Sequence, residues 1–293
     1  MNNLIIRALT GAVFVALLLL SLWVGSYLFL LFFGVVVFIG TFEVVALVAK
    51  KQKIAFTIFC AFIALSVFLL SNGAKFSCCS LPPQYTDNAY ILLFFIPLVG
   101  LFSTKTRNPK PETPFGVASR YVAPETLNLK LIGAGLCGAF ILSTSFTALA
   151  TVFTLPDGNL LTLAFFCIIW AYDIFAYLVG SAIGRRRICE AISPKKSWEG
   201  AIGGFLFAIV CSGVFFYFTD ILTLWQWVFY AVIICVFGTA GDFCESLLKR
   251  SVHAKDSGKL LPSHGGILDR FDSTIFAVPF ILLYLQIIKQ VVL

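Results

Sequence analysis

DFCESLLKRSVHAKDSGKLLPSHGGILDRFD, residues 242–272, lies between two long apolar runs at 222–240 and 271–291. The segment contains five acidic residues, five basic residues and both histidines of the chain. A bilayer core is crossed by about 20 apolar residues in a helix, and a backbone in lipid must form its hydrogen bonds within that helix. The sequence therefore predicts two transmembrane helices joined by a polar segment outside the membrane.

Similar apolar runs continue along the whole chain. Its 293 residues are 60% hydrophobic and 12% charged, with a mean hydropathy of +0.98, whereas soluble domains carry about 25% charged residues. The runs are too long and too continuously apolar for the strands of a membrane barrel. We predict an all-α, polytopic transmembrane protein with nine spans, at 4–24, 27–48, 54–71, 89–102, 131–153, 160–183, 201–219, 222–240 and 271–291.

The distribution of basic residues predicts the orientation of these spans. With the N-terminus in the cytoplasm, every one of the 21 Lys and Arg residues except Lys75 and Lys289 lies on the cytoplasmic side. This asymmetry follows the positive-inside rule. The net charge of +7 has the same origin and favours anionic lipids as partners, so no nucleic-acid partner is predicted. A compact chain without a targeting extension indicates a bacterial inner membrane.

We divide the chain into two regions that are expected to form one integrated membrane domain. The N-terminal region, 1–130, has four spans and a cytoplasmic loop at 103–130, and the C-terminal catalytic region, 131–293, has five. The other long cytoplasmic connections are 184–200 and 241–270. The nine cysteines include no C-x-x-C pair, so a zinc site is not predicted.

The side chains of the segment 242–272 have a regular spacing. Asp242, Glu245, Ser246 and Lys249 are spaced i, i+3, i+4 and i+7 and would share one face of a helix leaving the membrane. An acidic pair, at 269 and 272, begins the final helix, where the helix dipole favours negative charge. An ordinary solvated loop with capping carboxylates is the alternative, but the density of charge exceeds what capping requires.

These residue types indicate phosphate chemistry. Carboxylate oxygens bind hard cations such as Mg²⁺, and Lys and Arg neutralise phosphoryl oxygens. Gly265 and Gly266 would let the backbone approach a ligand closely. Phosphoryl and nucleotidyl transfer depend mainly on positioning and charge stabilisation. Because the segment is predicted to lie on the cytoplasmic side, nucleotides of the cytosol would have access to it.

The same residues resemble the signature of the phosphatidate cytidylyltransferases (CDP-diacylglycerol synthases). Every fixed position of that signature matches in Ser246-x-Leu248-Lys249-Arg250, Lys255-Asp256-x-Gly258 and Leu261-Pro262-x-His264-Gly265-Gly266-Ile267-x-Asp269-Arg270-Phe271-Asp272. The resemblance extends upstream to Gly241-Asp242, to Ile192–Gly200 and to Tyr172-Asp173. The first 150 residues resemble the family only in being hydrophobic.

The resemblance implies that CTP and phosphatidic acid give CDP-diacylglycerol and pyrophosphate at a membrane. It implies a Mg²⁺ site at Asp242 and Asp269, with K⁺ as an optional second ion, and a homodimer. We predict catalytic roles for Asp242, Asp269, Lys249, Lys255, Asp256 and Arg270. We predict substrate-binding roles for Asp173, Lys195, Lys196, Ser197, Trp198, Ser246, Arg250, His264, Gly265, Gly266 and Asp272.

Some of these assignments have open alternatives. Asp173 lies within the sixth predicted span, where an ionisable residue marks a functional site by default, although it could be a buried structural carboxylate. We predict that Tyr177, Gly180, Ser181 and Gly184 continue its face toward the protein interior. The Lys195–Lys196 pair could hold phosphates or reflect the positive-inside bias. Trp198 could stack on a base or anchor the chain at the membrane interface.

The sequence is also compatible with two other functions, and it contains one misleading motif. A CTP-dependent lipid-alcohol kinase would also use a metal and a cytidine nucleotide, and a secondary transporter could use Asp173 as an ion site. Transporters usually show broken helices in two repeat halves, whereas the polar residues here form one C-terminal cluster. Gly133-x-Gly135-x-x-Gly138 matches a dinucleotide-binding fingerprint, but without a preceding strand it indicates helix packing.

Overall fold

The computed structural model describes residues 2–48, 54–76, 129–190, 192–252, 254, 257–258 and 265–292. Seven helices of the described chain are long and apolar enough to cross a membrane. An additional helix at the start of the chain contains a shorter apolar stretch, Leu9–Val24. The protein is therefore a polytopic membrane protein. Its elements are α1 (Asn2–Val24), α2 (Ser26–Val48), α3 (Ile54–Phe76), α4 (Leu129–Thr154), α5 (Gly158–Ile183), β1 (Arg187–Cys189), β2 (Ser193–Ser197), α6 (Trp198–Phe218), α7 (Leu224–Ser251) and α8 (Leu268–Val292).

The helices fall where the apolar runs predicted them. Each of the eight described helices corresponds to one predicted span, while the predicted span at 89–102 lies outside the described residues. α7 continues to Ser251, beyond the predicted end of its apolar run at 240, and its last turns contain the polar residues from Asp242 onward. This agrees with the predicted helix leaving the membrane.

The predicted all-α fold is confirmed for the described part of the chain, and the structure adds one short hairpin in a connection. β1 and β2 form an antiparallel two-stranded sheet in which Arg187 pairs with Ser197. The amide of Trp198 then donates a hydrogen bond to the carbonyl of Arg186, at 2.9 Å. The hairpin provides hydrogen-bond partners for backbone groups of a polar connection that lies outside the helices. Its strands are too short to show an alternating pattern in the sequence.

Glycines bring the helices close together in the N-terminal part of the bundle. Gly135 of α4 faces Val45 of α2 and Phe56 of α3, and a side chain at Gly138 would collide with Val44. The prediction that this glycine motif serves helix packing is confirmed for Gly135 and Gly138, whereas Gly133 has no neighbouring atom within 4 Å of where a side chain would begin. The Ser143 hydroxyl adds a hydrogen bond from α4 to the carbonyl of Ala64 in α3, at 2.9 Å, of the kind that joins membrane helices.

One hydrophobic core joins helices from both predicted regions. α2, α3 and α4 pack together, α4 also contacts α8, and the pairs α5–α6 and α7–α8 have extensive contacts. Phe271, near the start of α8, is 1% exposed. Its ring lies against those of Phe14 (5.5 Å between centroids), Phe33 (6.1 Å) and Phe146 (5.4 Å). The beginning of α8 is therefore anchored by α1, α2 and α4. The division of the chain into two regions at residue 130 stays a prediction.

Candidate active site

The polar end of α7 lies directly beside the beginning of α8. A side chain at Gly241 would meet the Asp272 carbonyl oxygen at 2.5 Å and the Phe276 Cβ at 3.0 Å, so the two helices touch here only because this residue is glycine. The next residue, Asp242, accepts a hydrogen bond from the Ser273 hydroxyl of α8. The close approach thus places a carboxylate of α7 on the first turns of α8.

Lys196 of β2 brings the hairpin to this carboxylate. Its ammonium nitrogen lies 2.5 Å from Asp242 Oδ2 and 4.8 Å from the centre of the Phe243 ring, where it also makes a cation–π contact. Both charged side chains are partly buried. The connection 184–200 therefore contacts the segment 242–272 at Lys196.

A second ion-pair cluster lies one to two turns further along α7. Lys249 Nζ is 2.7 Å from Glu245 Oε2 and 2.8 Å from Asp269 Oδ1. The other oxygen of Asp269 accepts hydrogen bonds from the amides of Gly266, at 2.9 Å, and Ser257, at 3.2 Å. Lys249 and these two amides together fix the orientation of the Asp269 carboxylate.

Gly265 shapes the turn that leads into α8. Its φ of +85° lies in the left-handed region that glycine adopts without a steric cost. A side chain there would also approach Asp269 Oδ2 to 2.5 Å. The absence of a side chain at Gly265 thus leaves room for the Asp269 carboxylate, and the predicted close approach of this glycine to a ligand stays a prediction.

A cavity of about 230 Å³ opens between α1, α5 and α8. Its polar wall carries the acidic residues Asp173, Asp269 and Asp272 together with Arg270. Its remaining wall is largely apolar, and the residues that form it include Phe14, Val15, Ile169 and Trp170. The cavity therefore joins a charged surface to a hydrophobic one within the same space.

Asp173 lies on α5, is exposed and lines this cavity. The neighbouring Tyr172 is tied to Thr239 of α7 by a hydrogen bond of 2.6 Å between their hydroxyls, which fixes α5 at this level. Asp173 lines the same cavity as Asp269 and Asp272. The site thus concentrates several carboxylates whose mutual repulsion favours binding of a cation.

The donor set fits Mg²⁺ in the way that this ion usually binds. No cluster of three or more Asp, Glu, His or Cys side chains within the described ranges is arranged to enclose a metal ion. Mg²⁺ commonly takes only one or two protein carboxylates and completes its octahedron with water and substrate phosphates. Asp269, which lines the open cavity, suits that mode of binding, and Asp242 lies on the neighbouring turn of α7, where it contacts Lys196 and Ser273.

The structure brings together only some of the predicted site residues. Asp173, Lys196, Asp242, Lys249, Asp269, Arg270 and Asp272 meet around the cavity and the two ion-pair clusters. Lys195 and Arg250 have exposed side chains, and Trp198 is 54% exposed. Ser246 lies on α7 one turn after Asp242. Lys255, Asp256 and His264 lie outside the described residues.

The small-residue face predicted after Asp173 is wrong in part. Tyr177 is 73% exposed and Ser181 is also exposed, so neither faces the protein interior. Gly180 and Gly184 instead leave room for Ser197, whose hydroxyl oxygen accepts a hydrogen bond from the Gly200 amide at 3.2 Å and caps α6. Regular helical spacing does not decide which face packs inward when the whole helix is apolar.

Glu43 is the site residue that the sequence reasoning missed. It lies on α2 with 5% of its surface exposed, and its carboxylate contacts the residues that precede Asp269. The signal was present, because Glu43 is the only acidic residue among the first 86 and falls within a predicted span. The reasoning that singled out Asp173 applies equally to it.

Comparison with known proteins agrees with the chemistry of the site. A family model described as the cytidylyltransferase family matches residues 5–288. Proteins named phosphatidate cytidylyltransferase from Staphylococcus haemolyticus and Staphylococcus saprophyticus are each 30% identical, over 76% and 79% of this chain and 86% and 89% of their own lengths. One of the same name from Haemophilus influenzae is 40% identical over 42% of this chain and 44% of its own. The chain therefore belongs to the cytidylyltransferase family.

Proposed function

We propose that the protein is a phosphatidate cytidylyltransferase, which transfers CMP from CTP to phosphatidic acid and releases CDP-diacylglycerol and pyrophosphate. The observation that carries the proposal is the cavity in which Asp269, Asp272 and Arg270 face an apolar wall. A lipid phosphate and a nucleoside triphosphate need such a site, because the reacting ends of both are anionic and the lipid also carries acyl chains. The family match over most of the chain supports the same reaction.

The reaction needs little covalent help from the protein. An oxygen of the lipid phosphate forms a bond to the α-phosphorus of CTP, and the bond from that phosphorus to the bridging oxygen breaks as pyrophosphate leaves. A phosphate monoester is already a nucleophile at neutral pH, so no general base is required. Catalysis then depends on positioning and on charge stabilisation.

The lysines are placed to provide part of that stabilisation. The ammonium groups of Lys196 and Lys249 each lie beside a carboxylate of the site, and Arg270 lines the cavity. Cations at these positions can neutralise phosphoryl oxygens through charge-assisted hydrogen bonds. We assign them to the triphosphate and the lipid phosphate of the two substrates.

Asp242 and Asp269 are the carboxylates that we assign to Mg²⁺. When bound, the ion would neutralise phosphate oxygens while pyrophosphate leaves. The remaining acids of the site, Asp173 and Asp272, would stay available for a second cation, and K⁺ is the ion that the family resemblance suggests. Their predicted substrate-binding roles belong to the same proposal, as do those of the residues that the structure does not describe.

The apolar wall suits the lipid. Phe14 and Val15 come from the apolar stretch of α1, and Ile169 and Trp170 come from α5, so this side of the cavity is built from apolar helices. We infer that the glycerol and the first methylenes of phosphatidic acid lie along it, with the phosphate toward Arg270. CTP then approaches from the cytoplasmic side, where Lys196 and the hairpin lie.

The decisive experiment is an assay of the purified protein with labelled CTP, phosphatidic acid and Mg²⁺. We expect the label to appear in CDP-diacylglycerol with pyrophosphate released in equal amount. Transfer to a lipid alcohol with CDP as the second product would indicate a lipid-alcohol kinase instead. Absence of lipid-linked CMP, while a known cytidylyltransferase works in the same mixture, would refute the proposal.

The proposed topology has nine spans, the N-terminus and the active site in the cytoplasm of a bacterial cell, and the C-terminus outside. A homodimer is part of the proposal through the family resemblance.

We expect alkaline phosphatase fused after Leu293 to be active and green fluorescent protein fused there to be dark, since the two reporters work on opposite sides of an inner membrane. A fusion at Ser251, on the proposed cytoplasmic side, should give the reverse pattern. A fluorescent fusion at the C-terminus would contradict the nine-span topology.

A further inference from the structure

Glu43 is an acidic residue on an otherwise apolar helix, in the part of the chain where the sequence resembles the family only in hydrophobicity. The helix α2 contains no other charged residue, and the Glu43 side chain is buried. An ionisable group at such a position is costly in a membrane protein and indicates a function. The contacts of its carboxylate identify that function.

Both oxygens of Glu43 accept hydrogen bonds at the beginning of α8. Oε1 accepts from the amide of Ile267 at 3.1 Å, and Oε2 accepts from the amide of Leu268 at 2.9 Å. The first amides of a helix have no partner within the helix, and negative charge is favourable there. Glu43 therefore caps α8 with a carboxylate from another helix, more than 200 residues away in the chain.

The capped turn is also the one that holds Asp269. The Gly266 amide donates to Asp269, whereas the next two amides donate to Glu43. Ser257 contacts both acids, with its amide toward Asp269 and its hydroxyl 3.5 Å from Glu43 Oε2. The two carboxylates thus share one set of backbone donors between them.

Two glycines of the segment leave space for Glu43. A side chain at Gly258 would collide with Glu43 Oε1, and one at Gly266 would collide with Glu43 Oε2 and the Ser257 hydroxyl. The backbone therefore closes tightly around the Glu43 carboxylate on two sides. This enclosure, together with the hydrogen bonds, fixes the residues before α8 relative to α2.

We propose that Glu43 is a positioning residue for the cytidylyl-transfer site, which holds the turn before α8 so that Asp269 faces the cavity in the geometry that binds the metal. The inference rests on the proposed function for its effect on activity, but the contacts themselves can be tested without turnover. Glu43 does not line the cavity described above, so it acts through the backbone that it binds.

The test compares Glu43→Ala and Glu43→Gln with wild type. Glu43→Ala removes the acceptors of the Ile267 and Leu268 amides at the start of α8, so hydrogen exchange of the peptide covering 265–271 should become faster. We expect kcat to fall by about tenfold to a hundredfold, because small misplacements of a catalytic group have effects of this size. The Mg²⁺ concentration for half-maximal activity should rise, while KM for CTP at saturating Mg²⁺ changes less. Glu43→Gln keeps the shape and one acceptor oxygen and should give smaller changes in the same direction.

Thr41→Val is the matched control. Thr41 lies on the same helix, is fully buried, and its hydroxyl has no hydrogen-bond partner among the described residues. The change keeps the side-chain shape and should alter neither exchange at 265–271 nor the Mg²⁺ dependence.

Three results would overturn the proposal for Glu43: unchanged exchange at 265–271 in Glu43→Ala, unchanged Mg²⁺ dependence, or a lower yield of folded protein with kcat per folded molecule intact. An inactive wild type would instead refute the proposed function, and the exchange measurement would still decide whether Glu43 holds the turn.

Discussion

Replacing Asp242 or Asp269 with asparagine should nearly abolish the formation of CDP-diacylglycerol. We expect kcat/KM to fall by about a thousandfold, because the transition state would lose several kcal/mol of charge stabilisation. Each change removes a negative charge next to a lysine, from Lys196 at Asp242 and from Lys249 at Asp269. Asparagine has nearly the same shape and can still accept one hydrogen bond. The protein should therefore fold, and the loss should reflect ligand binding to the site.

The measurement is CDP-diacylglycerol formation over a range of Mg²⁺ concentrations, with folding checked by size-exclusion chromatography in detergent. Asp220→Asn serves as the control, because Asp220 is exposed in the connection after α6, at the end of that helix opposite Lys196. It should retain full activity. Substantial activity in folded Asp242→Asn or Asp269→Asn would refute the assignment of Mg²⁺ to these carboxylates.

Most of the fold could be predicted because a membrane constrains the sequence so strongly. A helix that crosses lipid must be apolar over most of its length, so the eight described helices were visible as apolar runs. The polar segment 242–272 was conspicuous against that background. Its helical spacing predicted that Glu245 and Lys249 share one face of a helix, and the structure joins them in an i, i+4 ion pair.

The faces of the helices could not be predicted in the same way. A helix that is apolar all round has no sequence pattern that distinguishes its buried side from its lipid side, and α2 is such a helix apart from Glu43. Helical spacing from Asp173 therefore predicts an interior position for Tyr177, which is exposed in the structure. The contribution of Phe14 to the cavity wall likewise depends on how α1 packs, which its composition does not reveal.

Contacts across the two parts of the chain were equally invisible. The hydrogen bonds from Ile267 and Leu268 to Glu43 join residues separated by 224 and 225 positions. Neither partner forms a motif by itself, because a backbone amide has no sequence signature and a single acid in an apolar run has several explanations. The structure is what connects the N-terminal helices with the site.

Phe271→Ala should be the most destabilising single change near the site. The ring lies between the rings of Phe14, Phe33 and Phe146, and its removal would leave a cavity where α1, α2 and α4 meet α8. Phe→Ala changes in protein cores cost about 3–5 kcal/mol, and close packing is the main attraction between helices in lipid. We expect the melting temperature in detergent to fall by about 10 °C.

The same change should also lower activity in the protein that stays folded, because Phe271 separates Arg270 from Asp272 in the chain and its packing sets the rotation of α8. Phe218→Ala is the matched control, since Phe218 is exposed at the end of α6 and its loss creates no internal cavity. A melting temperature for Phe271→Ala within about 2 °C of that of Phe218→Ala, a difference of less than about 1 kcal/mol, would show that this ring cluster does not anchor α8. The N-terminal helices would then hold the site mainly through the hydrogen bonds of Glu43.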